Sequence, residues 1–229
     1  MIHLVDWFTQ QGADVYLTKL SGHYDDSIKI DKVKQSDWEQ DMMQSYLVAK
    51  ENSVLNVLPL VFVGYSLGAL LGQAMIVSPG STVKFDKQVL FAPATAIRKR
   101  SYLLKLFFYF NDSIKLPSYT PKMYRANKSL PISIYKILLA LEKKILDGGK
   151  ALANTPAIAF VDPKDELISY KKLTRWGAKT SPGNFEVIGL DTAMKDREGG
   201  YHHLIVSEQT MGKKNWQMVT TKMMAFLFN

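Results

Sequence analysis

One serine of this sequence lies between two glycines, in the context that best supports covalent chemistry. Residues 64–69 read Gly-Tyr-Ser-Leu-Gly-Ala and match the pattern G-x-S-x-G around Ser66. The match follows a continuous apolar run, residues 57–63, which predicts a strand buried on both faces. It precedes residues 67–76, whose spacing predicts a helix. A sharp turn between strand and helix would expose the Ser66 hydroxyl and aim the unpaired amide of Leu67 in the same direction.

The glycines of this turn also have an expected role. Both glycines should be needed, because the backbones pass so close in a tight turn that any Cβ would clash. The simpler alternative is a strand–helix turn in which Ser66 serves only as a helix cap.

Partners for the serine are present later in the chain. A serine hydroxyl is a weak nucleophile at neutral pH and needs a base that is itself oriented by an acid. Of the 4 histidines, His202 and His203 follow the last predicted strand, whereas His3 and His23 precede Ser66. Three carboxylates follow the strand predicted over residues 157–161, at Asp162, Asp165 and Glu166.

The elements that must position these residues alternate between strands and helices. Strands are predicted over residues 14–20, 57–63, 87–91, 157–161 and 184–190. Helices are predicted over residues 2–11, 36–50, 67–76, 203–211 and 216–228. This alternation predicts an α/β fold, with a mostly parallel sheet and helices on both of its faces.

A basic segment interrupts the alternation. The chain carries a net charge of +8, and residues 98–150 hold 12 Lys or Arg against 3 acids, so this segment alone carries 12 − 3 = +9. Helices are predicted within it over residues 101–110 and 132–146. We interpret residues 98–150 as a helical cap inserted between two parts of one core, residues 1–97 and 151–229. The alternative is an arm that tethers a partner.

The mixture of basic and apolar side chains in this cap suggests an amphipathic surface helix that contacts an anionic membrane. The alternative is a solvated basic face over an apolar floor. A nucleic-acid partner is not expected, because the positive charge is confined to this internal segment.

Composition excludes several classes of protein. With 229 residues and no cysteine, disulfides, thiolate metal sites and a cysteine nucleophile are ruled out. No histidine and carboxylate spacing is typical of a zinc site, so neither a metal nor another cofactor is expected. No apolar run is long enough for a transmembrane helix, and no secretory signal is visible, so we expect a cytoplasmic protein, peripheral to membranes at most.

Taken together, these motifs resemble the α/β-hydrolases over nearly the whole chain. The sequence is most similar to small carboxylesterases and monoacylglycerol-lipase-like enzymes, the serine aminopeptidase and lysophospholipase group. Residues 64–68 match the nucleophile elbow of this family, and residues 91–93, Phe-Ala-Pro, match the strand that follows it. The order of serine, acid and histidine along the chain is also that of the family.

The resemblance implies a role for each residue. Ser66 would be the nucleophile, Asp165 the acid, and the Leu67 amide an oxyanion donor. His203 is favoured over His202 as the base, because in these esterases a hydrophobic pair follows the histidine and an acid lies five residues on, here Glu208. Asp162 and Glu166 are weaker candidates for the acid, and His23 is more simply a loop histidine.

The chain departs from the family at its start. Family members normally begin with a strand ending in a His-Gly loop that supplies a second oxyanion amide, whereas this chain begins inside the first helix. We therefore expect an N-terminal truncation with the leading strands missing, an exposed apolar sheet edge and reduced stability. Without the second donor, we also expect impaired activity.

The implied function is hydrolysis of carboxylic esters with medium or long acyl chains, such as monoacylglycerols or lysophospholipids, through an acyl-enzyme. The alternatives are an acyltransferase or thioesterase on the same fold, or an inactive hydrolase-like protein that binds a membrane or a partner.

Overall fold

Four parallel strands form the central sheet, and they coincide with the most apolar runs of the sequence. The structure is a computed structural model that describes residues 2–23, 28–109, 111–118, 122–191 and 200–228. Its strands are β1 (Val61–Tyr65), β2 (Lys87–Phe91), β3 (Lys115–Pro117), β4 (Ser129–Pro131), β5 (Ala157–Val161) and β6 (Phe185–Gly189). The sheet has the order β1-β2-β5-β6, and all of its pairs are parallel. β3 and β4 form a separate antiparallel hairpin.

Helices cover this sheet. They are α1 (Ile2–Gln10), α2 (Gln35–Asn56), α3 (Leu67–Ile76), α4 (Ile132–Gly148), α5 (Tyr170–Thr180), α6 (Glu208–Met211) and α7 (Lys213–Phe228). All five residues of β5 are buried. Since successive side chains of a strand point to opposite faces, both faces of the sheet are covered at its centre. Trp38, Phe91 and Phe160 are among the largest side chains in this core.

Several predicted elements differ from those in the structure. Residues 14–20, predicted as a strand, have no regular structure, and Tyr16 and Leu17 are 42% and 58% exposed. Alternating apolar residues make a strand only where another strand supplies hydrogen bonds, and no described strand lies beside them. The strand predicted over residues 57–63 runs instead from Val61 to Tyr65, because α2 extends to Asn56.

Two predicted helices are also altered. The helix predicted over residues 203–211 is reduced to α6, because residues 203–206 form a loop. The helix predicted over residues 101–110 is a 3₁₀ helix over Lys99–Tyr109, and residue 110 lies outside the described part.

The segment predicted to be a cap contains this 3₁₀ helix, the β3–β4 hairpin and α4. The buried side chains of α4, among them Ile134, Leu141 and Ile145, belong to the same apolar cluster as the sheet. Its inner part is therefore continuous with the core, and the cap boundaries at residues 98 and 150 remain a prediction.

The sheet has an open side at β1. Among the described residues β1 has a neighbouring strand on one side only, and its side chains are mostly half-buried. The segment 13–17 and β1 both line one large cavity. In the part of the chain that the structure describes, no helix combines the length and apolarity needed to span a bilayer.

Candidate active site

Ser66 occupies the single residue between β1 and α3. β1 ends at Tyr65, α3 begins at Leu67, and the Ser66 backbone adopts φ 49° and ψ −111°. A non-glycine residue in this region is strained by about 1–3 kcal/mol and persists only where its surroundings hold it. Here the Ser66 amide donates to the Phe91 carbonyl at 2.9 Å, so the neighbouring strand β2 holds the turn.

The two glycines of the turn are not equivalent. A Cβ on Gly64 would lie 2.6 Å from the Cα of Ala69, so this position excludes any side chain. A Cβ on Gly68 would have no atom within 4 Å. The expectation that both glycines are needed for steric reasons is thus wrong for Gly68, whose Cα faces open space.

The structure brings Ser66, His203 and Asp165 together. His203 Nε2 lies 2.8 Å from Ser66 Oγ, and His203 Nδ1 lies 2.8 Å from Asp165 Oδ2. The His203 side chain is 4% exposed and that of Asp165 is 0% exposed. Because water is largely excluded, these hydrogen bonds are electrostatically stronger than they would be at the surface.

Asp165 is fixed by its own turn. It lies in the loop after β5, and its Oδ1 accepts the amides of Leu167 and Ile168, both at 2.7 Å. Its other oxygen is therefore left facing His203. This arrangement holds the carboxylate in place and orients the imidazole from the side opposite Ser66.

The weaker candidates take other positions. His202 Nδ1 lies 2.7 Å from Asp162 Oδ2, so this histidine pairs with a different carboxylate. Glu166 accepts the backbone amides of His202 and His203 rather than a ring nitrogen. His23 lines the same cavity as Ser66, with its Nδ1 3.4 Å from the Ser21 carbonyl.

Two tyrosines that the sequence did not single out lie against the imidazole. The ring of Tyr65 is 5.4 Å from that of His203, and the ring of Tyr201 is 6.2 Å away in an edge-on arrangement. Burial raises the pKa of Tyr65 well above its usual value, and the neighbouring Tyr201, Asp165 and Glu166 raise it further. Tyr65 therefore presents a neutral hydroxyl at physiological pH. The sequence feature that could have pointed to Tyr65 is its place directly before Ser66 in the G-x-S-x-G pattern.

Above Ser66 lies a cavity of about 1590 Å³. Apolar side chains from the 3₁₀ helix, α4 and the loop after β5 contribute to its lining, including Leu104, Leu138 and Ile168. The volume exceeds the usual ~300–1,000 Å³ of a ligand site, and the lining extends from Ser66 to residues 13–17. Among the described residues, no three potential metal ligands of the His, Cys, Asp or Glu type cluster together.

Comparison with known proteins gives matches by structure alone. No family model matches the chain, and no curated protein matches its sequence. A structure from work on LipS and LipT, two metagenome-derived lipolytic enzymes, has a TM-score of 0.72 at 16% identity, covering 99% of this chain and 86% of that chain. A soluble variant of monoglyceride lipase from Saccharomyces cerevisiae has a TM-score of 0.70 at 12% identity, covering 91% of this chain and 75% of that one.

Monoacylglycerol lipase from Paleococcus ferrophilus is similar to the same degree. Its TM-score is 0.69 at 12% identity, with coverage of 98% of this chain and 87% of that chain. The chain therefore has the α/β-hydrolase fold, and the resemblance predicted from the elbow sequence is confirmed for the fold.

Proposed function

We propose that this protein is a serine ester hydrolase with Ser66 as nucleophile, His203 as general base and then acid, and Asp165 as the residue that orients the imidazole. The observation that carries this proposal is the continuous hydrogen-bonded path from Ser66 Oγ through His203 to Asp165, with both distances at 2.8 Å. The strained backbone of Ser66 supports it as well, because strain of this kind collects at functional sites.

The geometry suggests a two-step reaction. His203 Nε2 takes the proton of Ser66 Oγ as that oxygen bonds to the ester carbonyl carbon, and the proton then passes to the departing alcohol as its C–O bond breaks. In the second step His203 Nε2 takes a proton from a water as the water oxygen bonds to the acyl carbon. It returns that proton to Ser66 Oγ as the bond between Oγ and the acyl carbon breaks, which releases the free acid. Asp165 stays ionised throughout.

Leu67 supplies a donor for the transition state in this scheme. It is the first residue of α3, so its amide has no carbonyl one turn earlier to bond with. The amide lies at the N-terminal end of the helix, where partial positive charge favours an oxyanion.

Esters with apolar acyl chains are the proposed substrates. The cavity that Ser66 lines is also lined by aliphatic side chains such as Leu104, Leu138 and Leu139, which favour a hydrocarbon chain over a polar group. Monoacylglycerols and lysophospholipids combine such a chain with a polar end, and two of the similar structures are lipases of monoacylglycerol type.

Labelling with a fluorophosphonate probe tests the proposal. Wild type should be labelled and should hydrolyse p-nitrophenyl esters, whereas Ser66→Ala should lose both properties. Ser78→Ala is the matched control, because Ser78 lies just past the other end of α3. An unlabelled wild-type protein, or labelling that persists in Ser66→Ala, would contradict the proposal.

Acyl transfer and thioester hydrolysis would pass through the same acyl-enzyme. Adding glycerol to the assay distinguishes an acyltransferase from a hydrolase, since a transferase forms a glyceride instead of free acid. Comparing the rates on an ester and on its thioester analogue distinguishes an esterase from a thioesterase. For an ester hydrolase, free acid should dominate and the oxygen ester should be the better substrate.

A second proposed property is contact with an anionic membrane through the 3₁₀ helix Lys99–Tyr109. Leu103 and Leu106 are each 65% exposed and Tyr109 is 94% exposed, with the exposed cations Lys99 and Lys105 beside them. An apolar surface bordered by cations fits a bilayer that carries negative headgroups.

Sedimentation with phosphatidylcholine vesicles, with and without phosphatidylglycerol, tests this contact. Binding should require the anionic lipid, weaken with salt and be lost in Leu103→Ser with Leu106→Ser. Leu47→Ser, which alters an exposed leucine on α2, should bind as wild type does. Salt-independent binding to both vesicles would contradict the proposal.

A further inference from the structure

The loop after β5 contacts the His202–His203 dipeptide through more than the bond between Asp165 and the His203 ring. Residues 201–207 form neither a helix nor a strand, because α6 begins only at Glu208. The position of the His203 imidazole therefore depends on tertiary contacts. These are the core packing of residues 204–206 and the side chains that bind the His202–His203 dipeptide from outside. Glu166 and Asp162 of the loop after β5 provide such contacts.

Glu166 binds two consecutive backbone amides with one carboxylate. Its Oε1 accepts the His202 amide at 3.0 Å, and its Oε2 accepts the His203 amide at 2.9 Å. Hydrogen bonds to an ionised acceptor are roughly twice as strong as those between neutral groups. Because Glu166 directly follows Asp165, two adjacent residues hold the backbone and the ring of His203.

Asp162 holds the neighbouring histidine by its ring. Its side chain is fully buried, its Oδ2 lies 2.7 Å from His202 Nδ1, and its Oδ1 accepts the Lys164 amide at 2.8 Å. The Asp162 carbonyl also accepts the amide of Asp165 at 2.9 Å. The Asp162–His202 pair is thus tied to the same turn that carries Asp165.

We propose, building on the proposed hydrolase function, that Glu166 and the Asp162–His202 pair are positioning residues that aim the His203 imidazole at Ser66. An imidazole that is held only through its ring can still shift when its backbone moves. The bonds to both amides and to the adjacent ring restrain that backbone. Displacing a catalytic group by about 1 Å can lower a rate on the order of a hundredfold, so such bracing matters for turnover.

Kinetics of Glu166→Gln, Asp162→Asn and the double variant test the proposal on p-nitrophenyl butyrate. Each single variant should lower kcat about tenfold with little change in KM, because catalytic geometry rather than substrate binding is altered. The losses of the double variant should fall short of the product of the single losses, since the two groups act on one segment. Glu186→Gln, which changes an exposed carboxylate on β6, should behave as wild type.

Proton NMR gives a readout that general destabilisation would not move. The Nδ1 protons of His202 and His203, each bonded to a buried carboxylate, should give two low-field resonances, and His202→Gln identifies the first by removing it. Glu166→Gln and Asp162→Asn should broaden or shift the His203 resonance although Asp165 is intact. An unchanged His203 resonance with kcat within about twofold of wild type would overturn the proposal.

The NMR result also separates the two proposals. If wild type fails to hydrolyse any ester, the proposed function fails, and the His203 resonance alone then decides the positioning role. A His203 resonance that responds to Glu166→Gln supports that role, and one that does not respond refutes it.

Discussion

At the scale of single residues, Asp165 uses its two oxygens for different purposes. One oxygen accepts the amides of Leu167 and Ile168, and the other faces the His203 ring. The two hydrogen bonds from the amides restrain rotation of the carboxylate. They thereby fix the oxygen that faces His203. The local turn thereby creates the geometry that the imidazole requires.

Replacing Asp165 by Asn should therefore separate structure from catalysis. The amide oxygen can still accept from Leu167 and Ile168, but the NH₂ group then faces His203 Nδ1 and favours the wrong tautomer. We expect kcat to fall on the order of 10⁴-fold, while the circular dichroism spectrum and melting temperature stay close to those of wild type. Asp162→Asn, which changes the preceding carboxylate of the same loop, should lower kcat only about tenfold. Equal losses in the two variants would contradict these assignments.

Val57 is a residue in an unfavourable backbone conformation. It ends α2 with φ 54° and ψ 44°, and its side chain is 91% exposed. The left-handed conformation costs a β-branched residue about 1–2 kcal/mol, whereas glycine adopts it freely. The Leu58 amide closes the helix end by donating to the Ser53 carbonyl at 2.9 Å, so the conformation itself is needed.

Val57→Gly should consequently raise the free energy of unfolding by about 1 kcal/mol, measured by urea denaturation. Val54→Gly is the control, since Val54 is also exposed but lies inside α2. That variant should lower the free energy of unfolding by roughly 0.3 kcal/mol, because glycine is a slightly poorer helix former than valine. A loss of stability in both variants would refute the explanation.

At the scale of elements, a buried carboxylate joins three of them. Glu142 of α4 is 1% exposed, and its carboxylate lies 2.7 Å from Lys172 Nζ of α5 and 2.5 Å from the Tyr102 hydroxyl of the 3₁₀ helix. It also accepts the Ile97 amide at 2.8 Å. Removing Lys172 or Tyr102 would take a partner from the buried Glu142 carboxylate, which is costly, so this network ties the base of the predicted cap to the core.

The network predicts how stability depends on pH. Burial raises the pKa of Tyr102 above its usual 10.0, and its hydrogen bond to Glu142 raises it further. Burial lowers the pKa of Lys172, but its bonds to Glu142 and Tyr102 outweigh that effect and raise it above 10.5. Groups whose pKa is raised on folding stabilise the protein below their unfolded pKa, and that contribution is lost as the pH rises through the folded value.

The melting temperature of wild type should therefore fall steeply above about pH 10. The triple variant Glu142→Gln, Lys172→Met and Tyr102→Phe lacks the titrating groups of the network. Its melting temperature should therefore fall less steeply with pH. Lys136→Met, at an exposed ion pair with Asp112, should leave the steepness unchanged. A pH profile identical in wild type and the triple variant would contradict this account.

At the scale of the whole molecule, two features of the described part favour association. Leu47, Val54, Leu55 and Val57 of the α2 region are each more than half exposed, and β1 has a neighbouring strand on one side only among the described residues. Exposed apolar side chains and an unpaired strand edge both promote association.

We expect the protein to self-associate as its concentration rises, as measured by sedimentation velocity. Leu55→Lys should reduce this association, because it places a charge in the apolar surface. Gln44→Lys adds the same charge at an exposed polar position of α2 and should have a smaller effect. Equal effects would show that net charge, rather than apolar contact, controls association.

The parts of the molecule that local sequence specifies were predictable. β2 and β5 match their predicted bounds, and the turn at Ser66 follows from a glycine pattern between an apolar run and a helix. Such features depend on hydrophobic periodicity and on steric limits within a few residues, so the sequence alone is sufficient. The choice of His203 over His202 came from resemblance, and the structure places His203 next to Ser66.

Features that join residues far apart in the chain became visible only in the folded protein. Residues 14–20 carry a strand pattern but form no strand, because a ladder needs a neighbour that local sequence does not supply. The two amide contacts of Glu166 and the pairing of Asp162 with His202 join residues about 40 positions apart. These contacts form only when the common core brings β5 and the loop before α6 together. No local sequence pattern could therefore predict them.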